Sequence, residues 1–160
     1  MTELRATLQI ALEESLKHLE NLDKSPVAPT ADLTTLRARM AKELTDGGLP
    51  PEQVIAELVE DTAGGHLACA GGRFFGWVVG GALPAALAAD WLTSAWDENC
   101  TLVASGPATA VAEEVSGAWL KELLGLPATA SFGFVTGCQM AHTTCLAAAR
   151  HAVLAAKGWD

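Results

Sequence analysis

The residues best suited to chemistry form one run, Thr136-Gly137-Cys138-Gln139-Met140-Ala141-His142, between a predicted short strand over 131–135 and a predicted alanine-rich helix over 138–157. A strand, a tight turn and a helix in that order make an anion site. The first turn of a helix leaves backbone N–H groups unpaired, and its dipole favours negative charge. Gly137 lets a phosphate approach the backbone closely, Thr136 and Gln139 add side-chain donors, and His142 sits one turn into the helix. The same letters also describe an ordinary cap and tight turn, so the run alone names no ligand.

Other groups are weighed in the same way. His142 and Cys145 stand three apart, His66 and Cys69 repeat the spacing, and two such pairs have the ligands of a zinc site. Short Cys-x-x-Cys knuckles are absent and the surroundings are apolar, which favours packed thiols and edge histidines. The four cysteines read as free, buried thiols. Glu113-Glu114 reads as a solvated mid-helix face, and Trp91, Trp96 and Trp119 as core or interface.

These residues need elements to hold them. Leu4, Leu8, Ala11, Leu12, Leu16 and Leu19 recur at helical steps, predicting an amphipathic helix with Thr2 as N-cap. Residues 23–32 hold two prolines and no periodicity, predicting an extended arm. Leu33, Leu36, Met40 and Leu44 predict a second helix stopped by Gly47-Gly48, and Pro51 opens a third. The first helix is equally suited to folding back on its own domain or packing on another subunit. Glycines and aromatics alternate from Gly64 to Gly81, with Phe74, Phe75 and Trp77 as flat apolar walls. Helices are predicted over 84–96 and 107–124, the latter capped by Ser105, with Val111, Val115, Ala118 and Trp119 facing inward.

Composition excludes some functions. Among 160 residues, 10 are basic and 19 acidic, and the net charge of −9 with no basic cluster argues against nucleic acid. Half the residues are hydrophobic and the mean hydropathy is +0.25. No apolar run reaches the roughly 20 residues of a membrane span, and the charged N-terminus is unlike a signal peptide, so a cytoplasmic setting is expected.

Three blocks carry a resemblance. Arg73-Phe-Phe-Gly-Trp-Val-Val-Gly-Gly-Ala-Leu-Pro through Leu92 resembles the "P-x-F-F" block of the group II pyridoxal-phosphate-dependent amino-acid decarboxylases, which include aromatic-amino-acid and glutamate decarboxylases. Ser105-Gly-Pro-Ala-Thr109, Glu113-Glu114 and Trp119 to Pro127 resemble the family's "S-P-A … E … W-L … L-P" block. Phe134 to Arg150 resembles its strand, turn and helix. The resemblance covers most of 64–157, in order. It implies an α/β fold, with a helical, dimer-embracing arm over 1–63 and the start of a fold-type I large domain over 64–160, mostly helical within this stretch.

The resemblance further implies pyridoxal 5'-phosphate as cofactor, held by Thr136, Gly137, Cys138 and Gln139 with His142 behind them. It places Trp77, Val78 and Val79 in the wall of the substrate pocket, and Thr109 in a loop approaching the neighbouring subunit's site. Gly72 replaces the family's proline, Met140 its glutamate and His142 a small polar residue. Val78-Val79-Gly80 replaces a bulkier stretch, so an aromatic substrate is not implied.

The family's cofactor-anchoring lysine lies downstream of the Leu146-Ala-Ala-Ala-Arg150 helix, and the sequence ends at Asp160. Lys17, Lys24, Lys42, Lys121 and Lys157 read as surface lysines, so no catalytic residue is assigned in this chain. The expected partners are the remainder of the enzyme as a longer or second chain, a homodimer-like assembly and a small amino acid. The alternative is a non-catalytic helical interaction module or an inactive truncated fragment.

Overall fold

A computed structural model of the chain describes residues 2–44, 46–100 and 102–159; Met1 and Asp160, the ends of the sequence reading, lie outside the described residues. Among the described residues six helices follow one another: α1 (Glu3–Glu20), α2 (Leu33–Met40), α3 (Pro51–Asp61), α4 (Pro84–Trp96), α5 (Pro107–Leu123) and α6 (Cys138–Ala155). The chain divides into two compact units, Met1–Asp90 and Trp91–Asp160. No strand forms among the described residues, so the short strand expected over 131–135 is absent, while the mostly helical character expected of the stretch is present. A strand is stabilised by cross-strand neighbours, and this stretch has none.

In the first unit α1 folds back on α3, and α2 also packs on α3. The covered part of α1 follows the expected stripe only at its centre. Ile10, Ala11, Leu12, Glu14 and Ser15 are half-buried, while Leu4, Leu8, Leu16 and Leu19 remain exposed. Thr2 stands at the N-cap position of α1, its carbonyl accepting from the Ala6 N–H, but its side chain caps nothing.

The arm over 23–32 is pinned to its own chain rather than extended into solvent. Thr30 and Ala31 N–H groups donate to the Gly64 carbonyl at 2.8 and 3.0 Å, and Ala68 N–H donates to Val27 O at 3.3 Å. Gly64 has φ +78°, and a Cβ there would meet the Thr30 hydroxyl at 2.7 Å. Only glycine meets both demands. Arg73 donates from Nη2 to the Leu22 and Ser25 carbonyls, fastening the other end of the arm. Ala68, beneath it, is the one buried hydrophobic residue among those described, at 4% exposure.

Asp32 accepts a hydrogen bond from Thr35 N–H at 2.7 Å and caps α2. The backbone and then the side chain of Thr35 hold its carboxyl below the usual aspartate value. Helix α2 stops at Met40, short of the expected Leu44, because the next residues turn across α3. There the Lys42 ammonium lies 2.7 Å from Glu57 and 2.6 Å from Asp61. Asp61 and then Glu57 raise Lys42 above the ordinary lysine value, and Lys42 followed by Gln53 lowers the Glu57 carboxyl.

In the second unit the cap of α5 is Gly106, not Ser105. The Ser105 hydroxyl donates instead to the Asn99 and Leu102 carbonyls, at 2.8 and 3.1 Å. The expected inward face of α5 is also rotated. Val111, Val115 and Trp119 are exposed, and Gly117 is the buried position, with the Phe132 ring lying where a Cβ would be. Lys121 is no free surface lysine: Nζ donates to Ala128 O and Ala130 O and lies 5.7 Å from the centre of the Phe132 ring. Trp91 and Trp96 are likewise exposed rather than core. Cys100, Cys138 and Cys145 are exposed and Cys69 is half-buried, against the buried thiols expected.

Replacing Gly117 by Val is expected to displace the Phe132 ring and destabilise the chain by about 1–3 kcal/mol, the usual scale of overpacking. Denaturant unfolding of the whole chain measures it. A second expectation concerns pH. A carboxyl depressed by folding contributes stability above its unfolded value and loses it as pH falls through the folded one. Lys42 contributes below its unfolded value and loses its share as pH rises through the raised one. Helix content should therefore fall on the acid side through Glu57, and Lys42→Met should flatten that limb of the circular dichroism profile.

Candidate functional site

The first turn of α6 carries the cluster Thr136, Gly137, Cys138, Gln139 and His142. Gly137 is the N-cap, with φ +139° and ψ 178°, a conformation essentially confined to glycine. Its carbonyl accepts the first helical bond, from Ala141 N–H at 3.0 Å. The N–H groups of Cys138, Gln139 and Met140 therefore have no partner within the helix, and no side chain caps them. Nothing lies within 4 Å of where a Gly137 Cβ would stand, so the turn opens on free space. Cys138, Gln139 and Met140 are themselves exposed.

One turn along, His142 Nε2 lies 3.7 Å from Cys138 Sγ. The sequence suggested a pairing of His142 with Cys145 three residues on; the thiol actually beside the ring is four residues back, on the same helical face. The Gln139 carbonyl accepts from the Thr143 hydroxyl at 3.0 Å, leaving its side-chain amide unengaged by the described residues. This end of α6 presents three backbone donors, and the exposed Gln139 belongs to the same turn. An anion of phosphate geometry is what such a set recognises.

The residues expected to line a substrate pocket have their own local settings. Trp77, Val78 and Val79 belong to the first unit, in a stretch that follows the Arg73 anchor. Phe74 and Trp77 rings meet with centroids 5.9 Å apart. Phe75 is 95% exposed, Trp77 78%, and Val78 is fully exposed. Both Trp77 and Val78 adopt positive φ, +53° and +54°. For a β-branched valine that is an outlier, costing of order 1–2 kcal/mol. Thr109, in the second unit on α5, donates its hydroxyl to Glu98 Oε2 at 3.0 Å. Sequence spacing does not mark Glu98 as its partner, since that acid lies outside α5 and is brought there by the path of the intervening loop.

No protein-family model matches the chain, and no solved structure matches it. One comparison is informative. An aromatic-L-amino-acid decarboxylase of Bacillus atrophaeus is 28% identical over 152 residues, which are 95% of this chain. The chain is a distant relative of that decarboxylase. It spans about a third of the enzyme's length, 32%. The comparison thus supports, at a distance, the decarboxylase resemblance carried by the three sequence blocks. No described helix is long and apolar enough to cross a membrane.

Gly137→Ala should strain the α6 cap by about 1–3 kcal/mol, the cost of holding a side chain in so sparse a region. The expected result is faster hydrogen exchange at residues 138–142 with the rest of α6 unchanged. Unaltered exchange there would mean that the cap does not depend on the glycine conformation.

Proposed function

We propose that this chain supplies part of a pyridoxal-phosphate-dependent decarboxylase acting on an L-amino acid: the phosphate-holding turn, a wall of the substrate pocket and dimer contacts. The observation that carries the reading is the uncapped N-terminus of α6, where an open Gly137 leaves three backbone donors free. The distant decarboxylase relative points the same way. These residues fit a phosphate group: Cys138, Gln139 and Met140 N–H groups bind it, and the Thr136 hydroxyl and Gln139 amide add donors. His142 stands behind Cys138 and fixes that side of the turn.

When bound, the cofactor supplies the electron sink that amino-acid decarboxylation needs. In this reading Trp77, Val78 and Val79 shield the reacting side from water, and Thr109 borders the neighbouring subunit's site. The exposed leucine edge of α1 serves as the dimer-embracing surface. Residues 64–160 begin a fold-type I large domain that the remainder of the enzyme, as a longer or second polypeptide, completes with the anchoring lysine. The setting is cytoplasmic. One observation favours the alternative of a non-catalytic helical interaction module: among the described residues α5 and α6 have no helix packed on them, and apolar side chains such as Val111, Leu146 and Val153 are exposed.

Intact-mass analysis of the native material separates the two. The enzyme reading expects a second, lysine-bearing polypeptide or a longer chain, with pyridoxal phosphate retained. Neither polypeptide nor cofactor would leave the interaction module as the correct account. In the assembled enzyme, Gln139→Glu sets a carboxylate beside the phosphate. Cofactor affinity should fall by roughly 1.5–3 kcal/mol, the scale of a hydrogen bond to a charged group, and unchanged affinity removes Gln139 from the site.

A further inference from the structure

Two adjoining clefts in the first unit share His18, Ser25 and His66. The larger, about 530 Å³, runs between the closing turns of α1 and α3, from Lys17, His18 and Asn21 to Val59, Thr62 and Ala63. The two imidazoles come from distant parts of the sequence and meet edge to face, with centroids 6.3 Å apart. No hydrogen bond from the described residues reaches a ring nitrogen of either. Both helices direct their C-terminal ends at the cleft, and a helix C-terminus carries partial negative charge that favours a cation. Glu14 lines the same cleft and neutralises Lys17 by an ion pair at 3.0 Å.

From this juxtaposition we propose that His18 and His66 form a site for a divalent transition-metal ion of the zinc or nickel class. Imidazole nitrogen suits zinc, copper and nickel, whereas magnesium and calcium take oxygen ligands. Two rings on one ion, with metal–nitrogen bonds of about 2.0–2.1 Å, bring their centroids to roughly 5–6 Å, near the spacing observed, and the ring that presents its face turns to direct a nitrogen at the ion. No three His, Cys, Asp or Glu groups among the described residues already stand in ligating arrangement. The site is therefore a two-imidazole one whose remaining positions are filled by water. It lies in the first unit and is independent of the decarboxylase reading, whose phosphate turn belongs to the second.

Site-resolved carbethoxylation of the whole chain, read by peptide mass analysis with nickel ion alone as the probe, tests it. Nickel should protect His18 and His66 together while His151 stays reactive, and magnesium should protect none. In the His18→Ala variant, nickel should no longer protect His66. Position 18 is exposed, so the substitution empties no core. Protection of His66 that survives His18→Ala overturns the proposal, as does full reactivity of both histidines under nickel or equal protection of His151.

Discussion

Basic side chains reaching for oxygen do much of the work that a hydrophobic core does in other chains of this size. Arg73 spans from the aromatic stretch to the carbonyls after α1. Arg39 donates to Ala63 O at 2.9 Å, Lys42 bridges Glu57 and Asp61, and Lys121 holds the carbonyls of Ala128 and Ala130. Each net contribution is modest, about 0.5–1.5 kcal/mol for an ordinary hydrogen bond and less for an exposed ion pair. With Ala68 as the one buried apolar residue described, these ties decide where the arm, the loops and hence the candidate site residues lie. Order of this kind is local, and each segment is free to open without the rest.

Much of the helical layout was legible because it is written in short-range chemistry. Pro51 and Pro107 stand at the first turns of α3 and α5, and α4 spans the expected 84–96. Periodicity told less about which face is covered. The leucines of α1 follow a clean helical step, yet of that stripe only Ala11 and Leu12 are half-buried, beside Ile10, Glu14 and Ser15. The strand over 131–135 failed for a related reason: its letters suit a strand, but pairing is a property of neighbours that sequence pattern does not supply.

The candidate site divides in the same way. Glycine before a helix marks the turn that opens α6, and the backbone there has the conformation that makes glycine necessary. The contact between Cys138 and His142 follows a readable four-residue step that the three-residue pairing with Cys145 obscured. Thr109 with Glu98, and His18 with His66, depend on loop paths and helix packing, which no spacing rule reports.

The left-handed pair Trp77 and Val78 has a mechanical consequence. Each L-residue held in that basin stores about 1–2 kcal/mol relative to ordinary backbone, and both side chains project into solvent. The stretch beyond the Arg73 tie therefore carries a backbone cost that no buried side chain offsets.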